Sequence, residues 1–168
     1  VIVLEHKGLY WSKVKGTEAA KVIEPDAEYM VPLGKARLAL EASASSNTLF
    51  VVTYGMGVHW ALNAAKSYPG RIEILDLRSI APLDEEAIYT GAKKHGRVLV
   101  ITEEPVNCSF AQSIAARIQQ NCFKFLDAPV VTIGAANVPA IPLSEVLERE
   151  LLLSAEKVAG EMGKVLGY

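Results

Sequence analysis

The pair Gly55-Met56-Gly57, with His59 close behind, is the first constellation in this sequence that could do chemistry. Gly-x-Gly at a turn from strand to helix brings backbone amides near an anion, and a histidine in the first helical turn could move a proton. The pattern is half a dinucleotide fingerprint, because Trp60 stands where the third glycine of Gly-x-Gly-x-x-Gly belongs. Asp76 is the one acidic residue placed to follow the next strand, and Leu77-Arg78 suits it better to local pairing. A tight turn with close helix–strand packing is therefore favoured over a nucleotide site, while a bound anion stays compatible with the helix start. On a helix His59 shares a face with Asn63 and Lys66, opposite Val58, Leu62 and Ala65, which predicts a surface or interface histidine.

Glu103 and Glu104 end an apolar run, Val98-Leu99-Val100-Ile101, and could serve as an acid/base pair. Adjacent residues on an extended chain point to opposite sides, so they do not form a glycosidase-type dyad. One is expected to cap the next helix or to meet a neighbouring chain. His6, between Glu5 and Lys7, reads as linker or interface packing, and His95 before Gly96 as a cation at a helix C-terminus. Cys108 and Cys122 form no metal pattern and no disulfide framework, which suits reduced thiols in a cytosol-like compartment. From chemistry alone the chain reads as a non-catalytic α/β domain.

Composition agrees with a packed core. The 168 residues are 51% hydrophobic and 21% charged, too apolar for disorder, and a net charge of −2 gives no reason to expect nucleic acid. The longest apolar runs fall short of the roughly 20 residues a membrane span needs. The opening Val1-Ile2-Val3-Leu4 has no Met and no charged flank, so it is no signal peptide and reads as the continuation of a longer chain.

Residues 1–34 differ from the rest: a strand-like run at 1–4 is followed by a polar, poorly periodic stretch with Pro25 and Pro32, the chemistry of a linker between packed units. A weak strand pattern follows from Pro32 to Leu38, and 39–47 reads as a turn. Strands are then predicted at 49–52, 72–75, 98–101 and 130–133. Helices fall between them. One carries Val58, Ala61, Leu62 and Ala65; a second runs from N-cap Asp84 to Gly96; a third starts near Ser109 and turns Phe110, Ile114 and Ile118 inward. Ser144 and Ser154 cap two more, the last with Ala155, Val158, Met162 and Val165 on one stripe. Strand starts roughly 23–32 residues apart fit βαβ units, hence a helix–sheet–helix sandwich.

Several segments together resemble the C-terminal, transketolase-like domain of the beta part of the thiamine diphosphate-dependent decarboxylating component of 2-oxo acid dehydrogenases. They are Leu4-Glu5-His6-Lys7, Val31-Pro32-Leu33-Gly34-Lys35-Ala36, Val52-Thr53-Tyr54-Gly55, Gly96-Arg97-Val98-Leu99-Val100 and Phe125-Leu126-Asp127-Ala128-Pro129. The most specific is Asp76-Leu77-Arg78-Ser79-Ile80-Ala81-Pro82-Leu83-Asp84. The resemblance implies a mostly parallel sheet of about five strands with one antiparallel edge strand over residues 35–168, and makes 1–34 the exit from a missing pyrimidine-binding domain. It implies thiamine diphosphate and magnesium for the full enzyme and no cofactor, metal or catalytic residue in this fragment.

The implied partners are the pyrimidine-binding domain, the alpha part and a dihydrolipoyl acyltransferase core, with Asp127 and Tyr168 as docking carboxylates. Self-association is expected through Leu9, Tyr10, Trp11, Trp60 and His59. No nucleic acid or membrane is expected as a partner, and the location implied is cytoplasm, or mitochondrial matrix in a eukaryote. Gly57-Val58-His59, Glu104-Pro105, Phe110-Ala111 and Gln120-Asn121-Cys122-Phe123 resemble branched-chain members, with pyruvate or acetoin members as the alternative. A stand-alone nucleotide- or anion-binding module at Gly55, Gly57 and His59 is the competing class.

Overall fold

In the computed structural model, which describes residues 3–10 and 14–168, five strands form one sheet. They are β1 (Arg37–Leu40), β2 (Leu49–Thr53), β3 (Ile72–Asp76), β4 (Val98–Pro105) and β5 (Val131–Ala135), in the order β1-β3-β2-β4-β5. All neighbours pair in parallel except β1, which runs antiparallel to β3 at one edge. Every residue of β2 is buried, as expected of a central strand covered on both faces. β1 continues through Ala39 and Leu40, where a turn was expected: the stretch 39–47 is mostly small and polar, and pairing with β3 decides the matter. The strand expected at 1–4 is not formed by Val3 and Leu4, and Val1 and Ile2 lie outside the described residues.

Helices α1 (Met56–Ala65), α2 (Glu85–His95), α3 (Phe110–Cys122), α4 (Glu145–Leu151) and α5 (Ala155–Leu166) follow the strands. α1 and α5 cover one face over Leu49, Val51, Ile72, Ile74, Leu99 and Ile101. α2 and α3 cover the other over Phe50, Val52, Leu75, Val98 and Val100. Consecutive strand residues therefore feed opposite cores. Three of the caps read from sequence are in place: Asp84 Oδ1 accepts from the Ala87 amide at 3.3 Å, and Ser109 and Ser154 cap α3 and α5, whereas Ser144 stands at the start of α4 without a side-chain cap bond. Asp84 Oδ2 also accepts from the Ala36 amide at 3.0 Å, tying the start of β1 to α2.

His95 departs from its expected role. It ends α2 but is buried, stacked on Phe50 with centroids 5.8 Å apart, and Thr48 Oγ1 lies 2.6 Å from its Nδ1. Its Nε2 stands 3.0 Å from Glu73 Oε1, while Lys94 Nζ donates to Glu73 Oε2 at 2.6 Å. Burial works to raise the Glu73 pKa, and the Lys94 and His95 contacts outweigh it, so the carboxyl titrates below its ordinary value. The stabilisation is thus complete above the unfolded glutamate value of about 4.3 and is lost as pH falls through the folded one. Glu73→Gln should lower stability by about 1–3 kcal/mol at neutral pH, with the difference shrinking toward about pH 3.5. Urea unfolding of both proteins at the two pH values checks this, and an unchanged difference would count against the pairing.

Candidate functional site

The parallel strands β2, β3 and β4 finish at one end of the sheet, the usual ligand side of an open α/β sheet. The Gly55-Met56-Gly57 turn sits there. Gly55 has φ 57°, open to glycine without strain, and a Cβ at Gly57 would overlap Thr53 Oγ1 and touch Ile101. The glycines thus serve the close approach of α1 to β2 and β4. The Gly57 and Val58 amides donate to the Tyr54 and Gly55 carbonyls at 3.2 and 3.3 Å. They are engaged in the turn rather than turned toward a ligand.

Carboxylates share this sheet end. Asp76, paired in register with Thr53, accepts the Arg78 amide at 3.2 Å, with Arg37 Nη2 3.9 Å away. Burial exceeds the pull of those cations and raises the Asp76 pKa. Arg78, held at φ 52°, donates to the Lys35 carbonyl at 3.1 Å. The Asp-Leu-Arg-Ser-Ile-x-Pro-Leu-Asp run therefore works as a joint, fixing the exit of β3, the approach to β1 and the cap of α2.

Glu103 and Glu104 separate as an extended chain requires. Glu103 Oε2 lies 3.0 Å from His6 Nε2, fastening the lead-in segment to β4. Glu104 Oε1 accepts from Tyr54 Oη at 2.9 Å, Thr102 Oγ1 at 3.2 Å and the Phe110 amide at 2.9 Å, so it closes the start of α3 beside the Ser109 cap. Burial, with the Glu104 charge adding to it, pushes the Tyr54 phenol up to about 12. Neither glutamate is a free acid or base. His59, expected on an outward face, is only 8% exposed. Burial holds its pKa below the ordinary histidine value. With the Gly57 and Val58 amides spent within the turn and the carboxylates of Asp76, Glu103 and Glu104 at the same sheet end, the turn does not fit the diphosphate of thiamine diphosphate. Among the described residues no group of three or more His, Cys, Asp or Glu could hold a metal, and no helix is long and apolar enough to cross a membrane.

The other end of the sheet, where strands begin, carries Asp127, one of the two residues expected to dock a partner. The Asp127 amide donates to the Gly96 carbonyl at 2.8 Å and its Oδ2 accepts from Arg97 Nη1 at 3.2 Å, with most of the side chain in solvent. Gly96, at φ 69°, ends α2, and a Cβ there would lie 2.6 Å from Asp127 Oδ2. α5 starts near the strand-finishing end, where the Ala136 amide donates to the Leu151 carbonyl, and runs back to leave Tyr168 at the strand-starting end, 66% exposed. Fold connectivity thus brings Asp127 and Tyr168 to one end, while no hydrogen bond or ion pair joins them among the described residues. Phe123 and Phe125, which entered the sequence reading only within runs that resemble the family, are exposed just before Asp127. Trp11 lies outside the described residues, Trp60 is partly buried against the α1/α5 core, and Tyr10 is exposed.

Residues 39–158 match the family model of the transketolase C-terminal domain. The 2-oxoisovalerate dehydrogenase subunit beta of Bacillus subtilis is 34% identical over 175 aligned residues, covering 100% of this chain and 49% of that protein. The acetoin:2,6-dichlorophenolindophenol oxidoreductase subunit beta of the same organism is 40% identical over 85% of this chain and 41% of its own length. The chain thus spans about half the length of the curated relatives it matches. A split-gene transketolase solved as an inactive beta4 tetramer superposes with a TM-score of 0.67 over 88% of this chain and 46% of that one, at 21% identity, a likeness of fold. On the match of residues 39–158, this chain belongs to the transketolase C-terminal domain family.

Proposed function

We propose that this chain is the assembly and partner-docking part of a 2-oxo acid dehydrogenase. That enzyme decarboxylates a branched-chain 2-oxo acid oxidatively and passes the acyl group to lipoamide. The observation that carries this is the similarity to 2-oxoisovalerate dehydrogenase subunit beta along the entire chain. In this reading residues 1–34 lead in from a pyrimidine-binding domain, and thiamine diphosphate and magnesium are held by that domain and an alpha subunit. The full enzyme works in the cytoplasm, or in the mitochondrial matrix of a eukaryote. The exposed segments around Tyr10, Ile23 and Met30 are contact surface for those parts or for a second copy of the chain. The relative at 40% identity supports a second reading in which the substrate is acetoin.

At the strand-starting end, Asp127 and the exposed Tyr168 are offered to basic side chains of the acyltransferase's peripheral binding domain. Arg97 engages one Asp127 oxygen, which orients the carboxylate and leaves the other for a partner. Calorimetric titration with that binding domain should show salt-sensitive 1:1 binding, weakened by about tenfold in Asp127→Ala. Unchanged affinity in that variant would remove Asp127 from the interface. Turnover of the assembled enzyme with 2-oxoisovalerate, pyruvate and acetoin separates the two substrate readings.

A further inference from the structure

His59 follows the first turn of α1, yet it is nearly closed from solvent. Its neighbour one turn on, Asn63, shows what lies across the helix there: Asn63 Nδ2 donates to the Gly16 carbonyl at 2.8 Å and to the His59 carbonyl at 2.9 Å. Lys66 Nζ in turn donates to Asn63 Oδ1 at 2.8 Å. The segment that supplies Gly16 is a compact turn. Thr17 within it is fully buried, and its Oγ1 donates to the Val14 carbonyl at 2.6 Å. One amide side chain therefore fastens this turn onto α1 beside the histidine.

The charged groups facing His59 are Asp76 at the end of β3, and Glu18 and His6 in the lead-in segment. Lys66 follows on α1, and Glu103 of β4 holds His6. Burial is the largest influence on the imidazole and disfavours its charged form; His6 adds to this, while Asp76 and Glu18 oppose it and are outweighed. His59 Nδ1 has no hydrogen-bond partner among the described residues.

We propose that residues 14–20 form an acid-released clasp on α1, with His59 as its trigger. When the turn lifts, His59 meets water and binds a proton at the ordinary histidine value of about 6.5. In the closed form it binds one only at lower pH. As pH falls through that window, the open form takes up a proton that the closed form does not hold, and the population moves toward open. Above the window both forms are neutral at His59 and the clasp keeps its full hold.

Hydrogen exchange of the peptide covering residues 14–20, corrected for intrinsic rates, should be compared at about pH 8 and about pH 5. Protection should be lost at the lower pH in the natural protein, kept in His59→Gln, and still lost in His6→Gln. Equal protection at both pH values in the natural protein, or the same acid loss in His59→Gln, overturns the proposal. Ring-proton titration of the natural protein by NMR decides independently of any variant. A His59 midpoint below the ordinary value and shared by the amides of 14–20 supports the clasp, whereas an ordinary or raised midpoint overturns it.

Discussion

Replacing Phe50 by alanine is expected to destabilise the protein by about 3–5 kcal/mol, the range for emptying an aromatic site in a close-packed core. Phe50 is 1% exposed on the central strand β2. Its ring fills the space that α2 leaves by having no side chain at Gly91, since a Cβ there would overlap the ring. On another side it stacks on His95, which holds the buried Glu73. Truncation thus opens a cavity and loosens a paired carboxylate together, so the cost should lie in the upper part of the range. Phe123→Ala provides the contrast: that ring is 68% exposed, and its loss should change stability by no more than about 0.5 kcal/mol. Urea unfolding of both variants measures the pair. A Phe50→Ala midpoint close to that of Phe123→Ala would mean that α2 does not depend on this contact.

Adding one methyl group at Gly57 should cost about 1–3 kcal/mol through overpacking. The new Cβ would occupy the place of Thr53 Oγ1, a hydroxyl that donates to the Ile101 carbonyl at 3.0 Å across β2 and β4. Helix α1 cannot back away without lifting Ala61, Ala64 and Ala65 from the sheet. Removing the obstacle should relieve the clash. Thr53→Ala alone should cost about 1 kcal/mol for the lost hydrogen bond, and combined with Gly57→Ala it should fall short of the sum by about 1 kcal/mol or more. A double-mutant cycle by denaturant unfolding reads that coupling directly. Strict additivity would show that Gly57 is required for its backbone conformation and not for the approach of helix to sheet.

The sequence made the architecture readable where residue type alone determines placement. The unbroken apolar runs of β2 and β4 can only be buried on both faces, and Asp84 and Gly96 bracket α2 by local chemistry. β1 was half hidden because Ala39 and Leu40 carry no alternation; its continuation depends on β3, some 35 residues on. The histidines were misjudged for the same kind of reason. His95 looks like a helix-terminal cation until Glu73, 22 residues earlier, is placed opposite it by the β3–α2 packing. His59 looks outward until the Gly16 carbonyl is found beside it on Asn63. Glu104 was legible only as one of two options, since the Tyr54 hydroxyl that shares it comes from 50 residues away. At the strand-starting end Asp127 was drawn from kinship, and its ion pair with Arg97 has no local signal.

The sheet order β1-β3-β2-β4-β5 also constrains how the chain can reach this state. Its central strand comes early, and the two strands that flank it come later on opposite sides. β3 can pair as soon as α1 has formed, which brings together strands whose starts are about 23 residues apart. β4 must instead return by way of α2, past β2, to reach the remaining edge of that strand. Until it does, Val51 and Val52 keep an open ladder on that side, and neither core has its full set of strand residues. Folding should therefore be slow for a domain of this length, governed by long-range closure rather than by helix formation. During synthesis, the stretch from Leu49 to Asp76 must wait as an unfinished pair until Val98–Ile101 has emerged, with an apolar edge on which another nascent chain could dock.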